Sequence, residues 1–123
     1  MEGNAMEERV LPIRITDNES GETYELDFNR DAIVFAERIR KFDLDDVLRY
    51  PGTKVPELFY YSFRMHHKNM SEAQTTDILN NKLGGVSPEM LERLMKLYDQ
   101  ARLSNNVQTD EDLAKNSRVT VEM

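Results

Sequence analysis

The chain contains no cysteine and no tryptophan in 123 residues. Without cysteine there is no disulfide framework, no thiolate metal site and no cysteine nucleophile, and a reducing, cytoplasmic compartment is the natural setting. Imidazole is limited to His66 and His67. No apolar run approaches the roughly 20 residues of a membrane span. The opening MEGNAMEERV has neither the basic nor the apolar region of a signal peptide, and residues 1–5 can be read as a leader ahead of Met6. Positive charge is scarce as well: 16 Lys and Arg stand against 23 Asp and Glu, a net charge of -7. That balance argues against nucleic acid as a partner, because phosphate binding rests on clustered Lys and Arg. A chain of this length suits one domain with one core.

What is present reads as α+β, an N-terminal β-hairpin packed on a bundle of about four to five α-helices. Val10–Thr16 alternates around Ile13 and Ile15, and Thr23–Phe28 alternates with Tyr24, Leu26 and Phe28 on one side. Between them Asp17–Glu22 is dense in turn formers, with Gly21 available for a positive φ. The pattern sets Ile13, Ile15, Tyr24, Leu26 and Phe28 inward and Arg14, Glu25 and Asp27 outward. A lone hairpin is marginal in water, so this one must lie on helices or on a partner's sheet.

The first helix is capped by Asn29 and buries Ala32, Phe35, Ala36 and Ile39 at the i, i+3, i+4, i+7 spacing. Asp43 caps a short turn through Leu44, Val47 and Leu48. A third helix, over about Lys54–Asn69, holds Pro56 in its first turn and aligns Val55, Leu58, Phe59, Ser62, Phe63 and His66 at the centre of the fold. Ser71-Glu72-Ala73-Gln74 is a capping box that opens a helix stopped by Gly84-Gly85. Ser87-Pro88-Glu89 opens the last, with Leu91, Leu94, Met95 and Tyr98 as its buried stripe. The domain divides into a flexible start at residues 1–9, one folded unit at 10–102 (hairpin 10–28, helices 30–101), and a mostly disordered tail at 103–123. That tail has too few apolar residues to offset the entropy of ordering it, although Arg118–Met123 alternates and can become a strand on binding.

No catalytic, cofactor-binding or metal-binding pattern is expected anywhere. Neighbouring helical positions point about 100° apart, so His66 and His67 do not share one metal; His66 is expected partly buried and His67 at the helix end. Asp43, Asp45 and Asp46 lack the Gly and Glu of a calcium loop. Gly84-Gly85 is followed by no Lys-Ser/Thr and is no phosphate loop. Phe59, Tyr60, Tyr61 and Phe63 cover more than one helix face. Either the hairpin and the first and last helices surround them, or Tyr60 or Tyr61 belongs to an interface, where tyrosine is enriched.

The runs Ile15–Phe28, Glu57–Arg64, His67-Lys68-Asn69, Leu83-Gly84-Gly85 and Leu91-Glu92-Arg93-Leu94 resemble a family of small proteins of phages and prophages of Gram-positive bacteria, across about Val10–Arg102. Members lie among tail genes and look like tail assembly chaperones of long-tailed phages, a family long of unknown function. The resemblance implies a non-enzymatic protein in the host cytoplasm during phage assembly. Its implied partners are the tape-measure protein, a very long helix-rich chain, and tail-tube subunits; self-association and a longer frameshifted product are left open. An apolar groove for tape-measure helices is then expected, with anchors among whichever of Tyr60, Tyr61 and Met65 stay exposed. Two other classes compete. An acidic nucleic-acid mimic that blocks a host DNA-binding protein needs carboxylates spaced like phosphates, whereas here they alternate with Lys and Arg. A structural tail component retained in the virion would use the hairpin to extend a neighbour's sheet.

Overall fold

The computed structural model describes residues 9–104 and Glu122. The expected flexible start through residue 8, and the expected tail beyond Ser104 apart from Glu122, lie outside the described residues. The architecture is α+β, as the pattern indicates. Strands β1 (Ile13–Thr16) and β2 (Thr23–Leu26) form an antiparallel hairpin in the register Ile13↔Leu26, Arg14↔Glu25, Ile15↔Tyr24, Thr16↔Thr23. That register puts the apolar set on one face. Its loop closes through Asp17 N–H to the Glu22 carbonyl and Gly21 N–H to the Asp17 carbonyl, both 2.7 Å. Gly21 takes φ +81°, which a side chain would resist.

Helix α1 (Arg30–Val34) is capped by the Asn29 side chain, which accepts from Ala32 N–H at 2.9 Å. It continues as a π-helical turn over Phe35–Ile39. There Arg40 N–H reaches back to the Phe35 carbonyl at 3.1 Å, five residues rather than four. The wider turn ends the expected 3.6-residue stripe. Ile39, expected inside, is 62% exposed, while Ile33 and Phe42 are buried instead. Asp43 then caps a 3₁₀ turn at Leu44–Asp46, accepting from Asp45 N–H.

Helix α2 runs Pro51–Tyr61 and corrects the expected Lys54–Asn69 at both ends. It starts early because Pro51 fits the first helical position, where no N–H donor is needed, so Pro56 lies inside the helix rather than in its first turn. It stops early because the Ser62 carbonyl accepts from Asp27 N–H at 3.0 Å, beside β2. Tighter bonds, Phe63 N–H to Tyr60 and Arg64 N–H to Tyr61, close the last turn. Leu58, Phe59, Tyr61, Ser62 and Phe63 are all buried, so this segment is central, as expected.

Helix α3 (Glu72–Asp77) has the complete capping box: Gln74 N–H donates to Ser71 Oγ and Ser71 N–H to Gln74 Oε1. It too widens into a π-helical stretch, Ile78–Leu83, before Gly84 ends it at φ +71°. Helix α4 (Pro88–Ser104) begins with Met90 N–H donating to Ser87 Oγ and runs two residues past the expected boundary at Arg102. Its inner face is Leu94, Leu97, Tyr98 and Ala101. The hairpin's apolar side, α1, α2 and α4 meet around Leu26, Phe28, Phe59 and Phe63, tied by ring pairs such as Phe28–Tyr98 at 5.2 Å and Tyr24–Phe63 at 5.6 Å. The first pair is edge-on and the second tilted, arrangements that add stabilisation beyond the area they bury.

Candidate functional site

Helix α4 is seventeen residues long, and only part of its apolar surface is used by the core. Because Leu94, Leu97, Tyr98 and Ala101 face inward, Leu91 and Met95 are turned to one flank and remain half-buried. Along that flank Pro88, Leu91, Glu92, Met95, Lys96 and Asp99 follow the i, i+3, i+4, i+7, i+8, i+11 spacing of a single helix face. Leu44 and Asp45 of the 3₁₀ turn before α2, and Leu48 just after that turn, form the opposite wall. Together they enclose an open groove of about 570 Å³. Leu48, on its lip, is 70% exposed, and with the half-buried Leu44, Leu91 and Met95 it leaves a contiguous apolar patch of the kind that takes a partner.

The groove is apolar at its floor and acidic at its edge. Asp45, Glu92 and Asp99 rim it; Lys96 is paired with Glu92 at 3.1 Å and Arg102 with Asp99 at 2.6 Å. From residue 88 to residue 99 the floor extends roughly 16 Å, at 1.5 Å per residue, the length of about three helical turns. Methionine at such a place adapts to differently shaped side chains.

The three expected anchors lie elsewhere. Tyr61 is fully buried against Phe42 and Phe35, with ring centroids at 5.1 and 5.9 Å, and burial pushes its phenol well above the ordinary range. Tyr60 is half-buried. The Arg40 guanidinium stands 5.7 Å over each of these two rings while donating to both carboxylate oxygens of Glu72 at 3.0 and 3.2 Å. This arrangement locks the π-helical end of α1 to α2 and α3. Met65 alone is exposed, at 37%. None of the three lines the groove, and of the two readings of the aromatic set the core accounts for Tyr61. Met65 belongs to the turns after α2, where Arg64 covers the Phe35 ring at 4.0 Å and pairs with Asp31.

The histidines exchange their expected environments, because α2 ends before them. His66 is exposed and its Nε2 lies 3.3 Å from a Glu25 carboxylate oxygen. His67 is half-buried against Tyr24 and Phe63, and its Nε2 accepts from Glu25 N–H at 3.0 Å. Burial, with His66 beside it, lowers the His67 pKa and favours the neutral ring that this bond requires. At the hairpin tip the Lys82 ammonium and the Glu19 and Ser20 amides hold the Asp17 carboxyl down at about 2. Among the described residues no three His, Asp or Glu side chains are placed to hold a metal ion, and no helix is long and apolar enough to cross a membrane.

A family model for a domain of unknown function, DUF5055, matches residues 5–123. The chain belongs to the DUF5055 family. No curated protein and no solved structure matches it. The DUF5055 match takes in residues 5–9 and 103–123, the two segments set outside the folded unit on sequence pattern. The family description carries no chemistry, so the functional reading has to come from surfaces such as the α4 groove. Its signal in the sequence was faint: Leu44 and Leu48 looked like the packing of a short turn, and Leu91 and Met95 like core.

Proposed function

We propose that this protein is a non-enzymatic tail assembly chaperone of a long-tailed phage, which captures helical segments of the tape-measure protein and helps recruit tail-tube subunits. The resemblance in the hairpin and α2 residues suggests the role, and the groove beside α4 is the observation that carries it. An amphipathic helix laid there buries its i, i+3, i+4, i+7 side chains against Leu44, Leu48, Leu91 and Met95. At the edge Glu92 and Asp99 already pair with Lys96 and Arg102, so Asp45 is the carboxylate that favours a Lys or Arg on the flank of that helix, a contact that sets selectivity and on-rate more than affinity. The groove's anchors are then Leu48 and Met95; Met65, the one of the three expected anchors that stays exposed, lies outside the groove.

The test is binding to overlapping tape-measure fragments at low and high ionic strength. Binding to amphipathic helical fragments is expected to survive moderate salt and to fall at least about tenfold in Leu48→Glu and in Met95→Glu, each of which loses an apolar anchor. Failure to bind any fragment, with tight, salt-sensitive binding to a host DNA-binding protein instead, overturns the chaperone reading in favour of the nucleic-acid mimic. Recovery of the chain in stoichiometric amount from finished virions favours a structural tail component.

A further inference from the structure

The hairpin's two outer edges are treated differently. Glu25 N–H donates to His67 and Asp27 N–H to the Ser62 carbonyl, so the edge of β2 is covered. Since those amides turn away from β1, Tyr24 and Leu26 face it, and Ile13 and Ile15 are the β1 residues that bond back. Arg14 and Thr16 must then point their amides and carbonyls outward. On this edge, just ahead of β1, the Gln100 carboxamide both accepts from Val10 N–H at 2.8 Å and donates to its carbonyl at 3.2 Å, and Pro12 has no N–H. Between Pro12 and the loop the edge is bare: among the described residues no group bonds the outward amides and carbonyls of Arg14 and Thr16. Natural edge strands are usually protected, so a bare one flanked by protected ground is a pairing template.

We infer that this edge is a self-association site, at which β1 pairs antiparallel with β1 of a second copy to make one continuous four-stranded sheet from two hairpins. The second copy is singled out by register. A two-fold pairing that respects the pleat must centre on residue 14, 15 or 16. Centring on Arg14 sets the two guanidinium side chains opposite each other and aligns Thr16 with Pro12, which has no amide to offer. Centring on Thr16 leaves Arg14 facing the Asn18 loop residue instead of a strand. Centring on Ile15 sets Arg14 opposite Thr16 in both directions and uses every outward amide and carbonyl of the two residues. It also brings the two half-buried Ile15 side chains together on the apolar face, next to the cleft lined by Ile15, Ile78 and Leu83. No like charges meet in that register. Each dimer then carries two α4 grooves, which raises avidity for a long repetitive partner.

The charge on residue 16 tests the register directly. The hairpin's own ladder uses Ile13 and Ile15, so Thr16→Arg and Thr16→Glu leave the monomer folded, checked by circular dichroism. In sedimentation velocity over a wide concentration range, the parent is expected to dimerise reversibly. Thr16→Arg places cations opposite Arg14 twice per dimer and weakens it about tenfold, whereas Thr16→Glu tightens it. Because the chain has no cysteine, Ile15→Cys is expected to give a disulfide-linked dimer under mild oxidation, while Lys68→Cys, distant in the pairing, gives none. A chain that stays monomeric at all concentrations, or a dimer indifferent to both charges at residue 16, overturns the inference. So does a dimer seen only after residues 105–123 are deleted, which assigns the edge to that segment.

Discussion

Replacing Phe63 by alanine tests the assignment of the core most directly. The ring is 1% exposed, at the place where the end of α2 meets the hairpin. It lies 5.1 Å from Phe59, 5.6 Å from Tyr24 and 6.0 Å from His67, centroid to centroid. Truncation therefore removes the buried surface of one aromatic side chain and its ring contacts, and leaves a void between two elements held by the ring. Comparable buried Phe→Ala changes cost about 3–5 kcal/mol, against a total of about 5–15 kcal/mol for a domain of this size. For a folded unit of under about 100 residues this lowers Tm by at least about 12 °C. Urea unfolding followed by far-ultraviolet circular dichroism, with equal m-values for parent and variant, gives the difference in free energy. Leu48→Ala, on the exposed lip of the groove, serves as the control and should change stability by less than about 0.5 kcal/mol. A Phe63→Ala chain within about 1 kcal/mol of the parent refutes the packing argument.

Three further outcomes are expected. Asp17 has a folded pKa of about 2, below the ordinary carboxylate value. Its contribution is therefore full above about pH 4 and lost as pH falls through about 2, and Asp17→Asn should flatten acid unfolding in that window, measured by thermal melts. His67 has a depressed folded pKa, so its stabilising share is present above about pH 6.5 and disappears as pH falls through the lower folded value. Replacing it with leucine should remove that slope, and an unchanged slope between pH 7 and 5 would count against the Glu25 N–H bond. Arg40→Ala breaks the stack on Tyr60 and Tyr61 together with the two-oxygen contact to Glu72, at a cost of about 1–2 kcal/mol in chemical unfolding; Arg40→Lys, which keeps the charge but not the planar fork, should recover less than half of it.

Local chemistry was legible before any tertiary contact was known. Asn29, Asp43, Ser71 with Gln74, and Ser87 all cap where their side chains indicate, because a capping bond is satisfied within three residues of chain. Gly84 ends α3 for the same kind of reason, and period-2 alternation put Ile13, Ile15, Tyr24 and Leu26 on one face, while the pairing of Ile13 with Leu26 and of Ile15 with Tyr24 came from the folded hairpin. Tertiary structure decided what the 3.6-residue period cannot contain. Two π-helical turns shifted the buried face of α1 and lengthened α3, which turned Ile39 outward. At the end of α2 the Ser62 carbonyl is taken by Asp27, far away in sequence, and beyond it His66 and His67 are placed by their contacts with Glu25 on β2. The groove was hidden for the same reason. Leu44, Leu48, Leu91 and Met95 look like core in one dimension, and whether an apolar residue is inside depends on which neighbours reach it, a property of the assembled elements rather than of the residue.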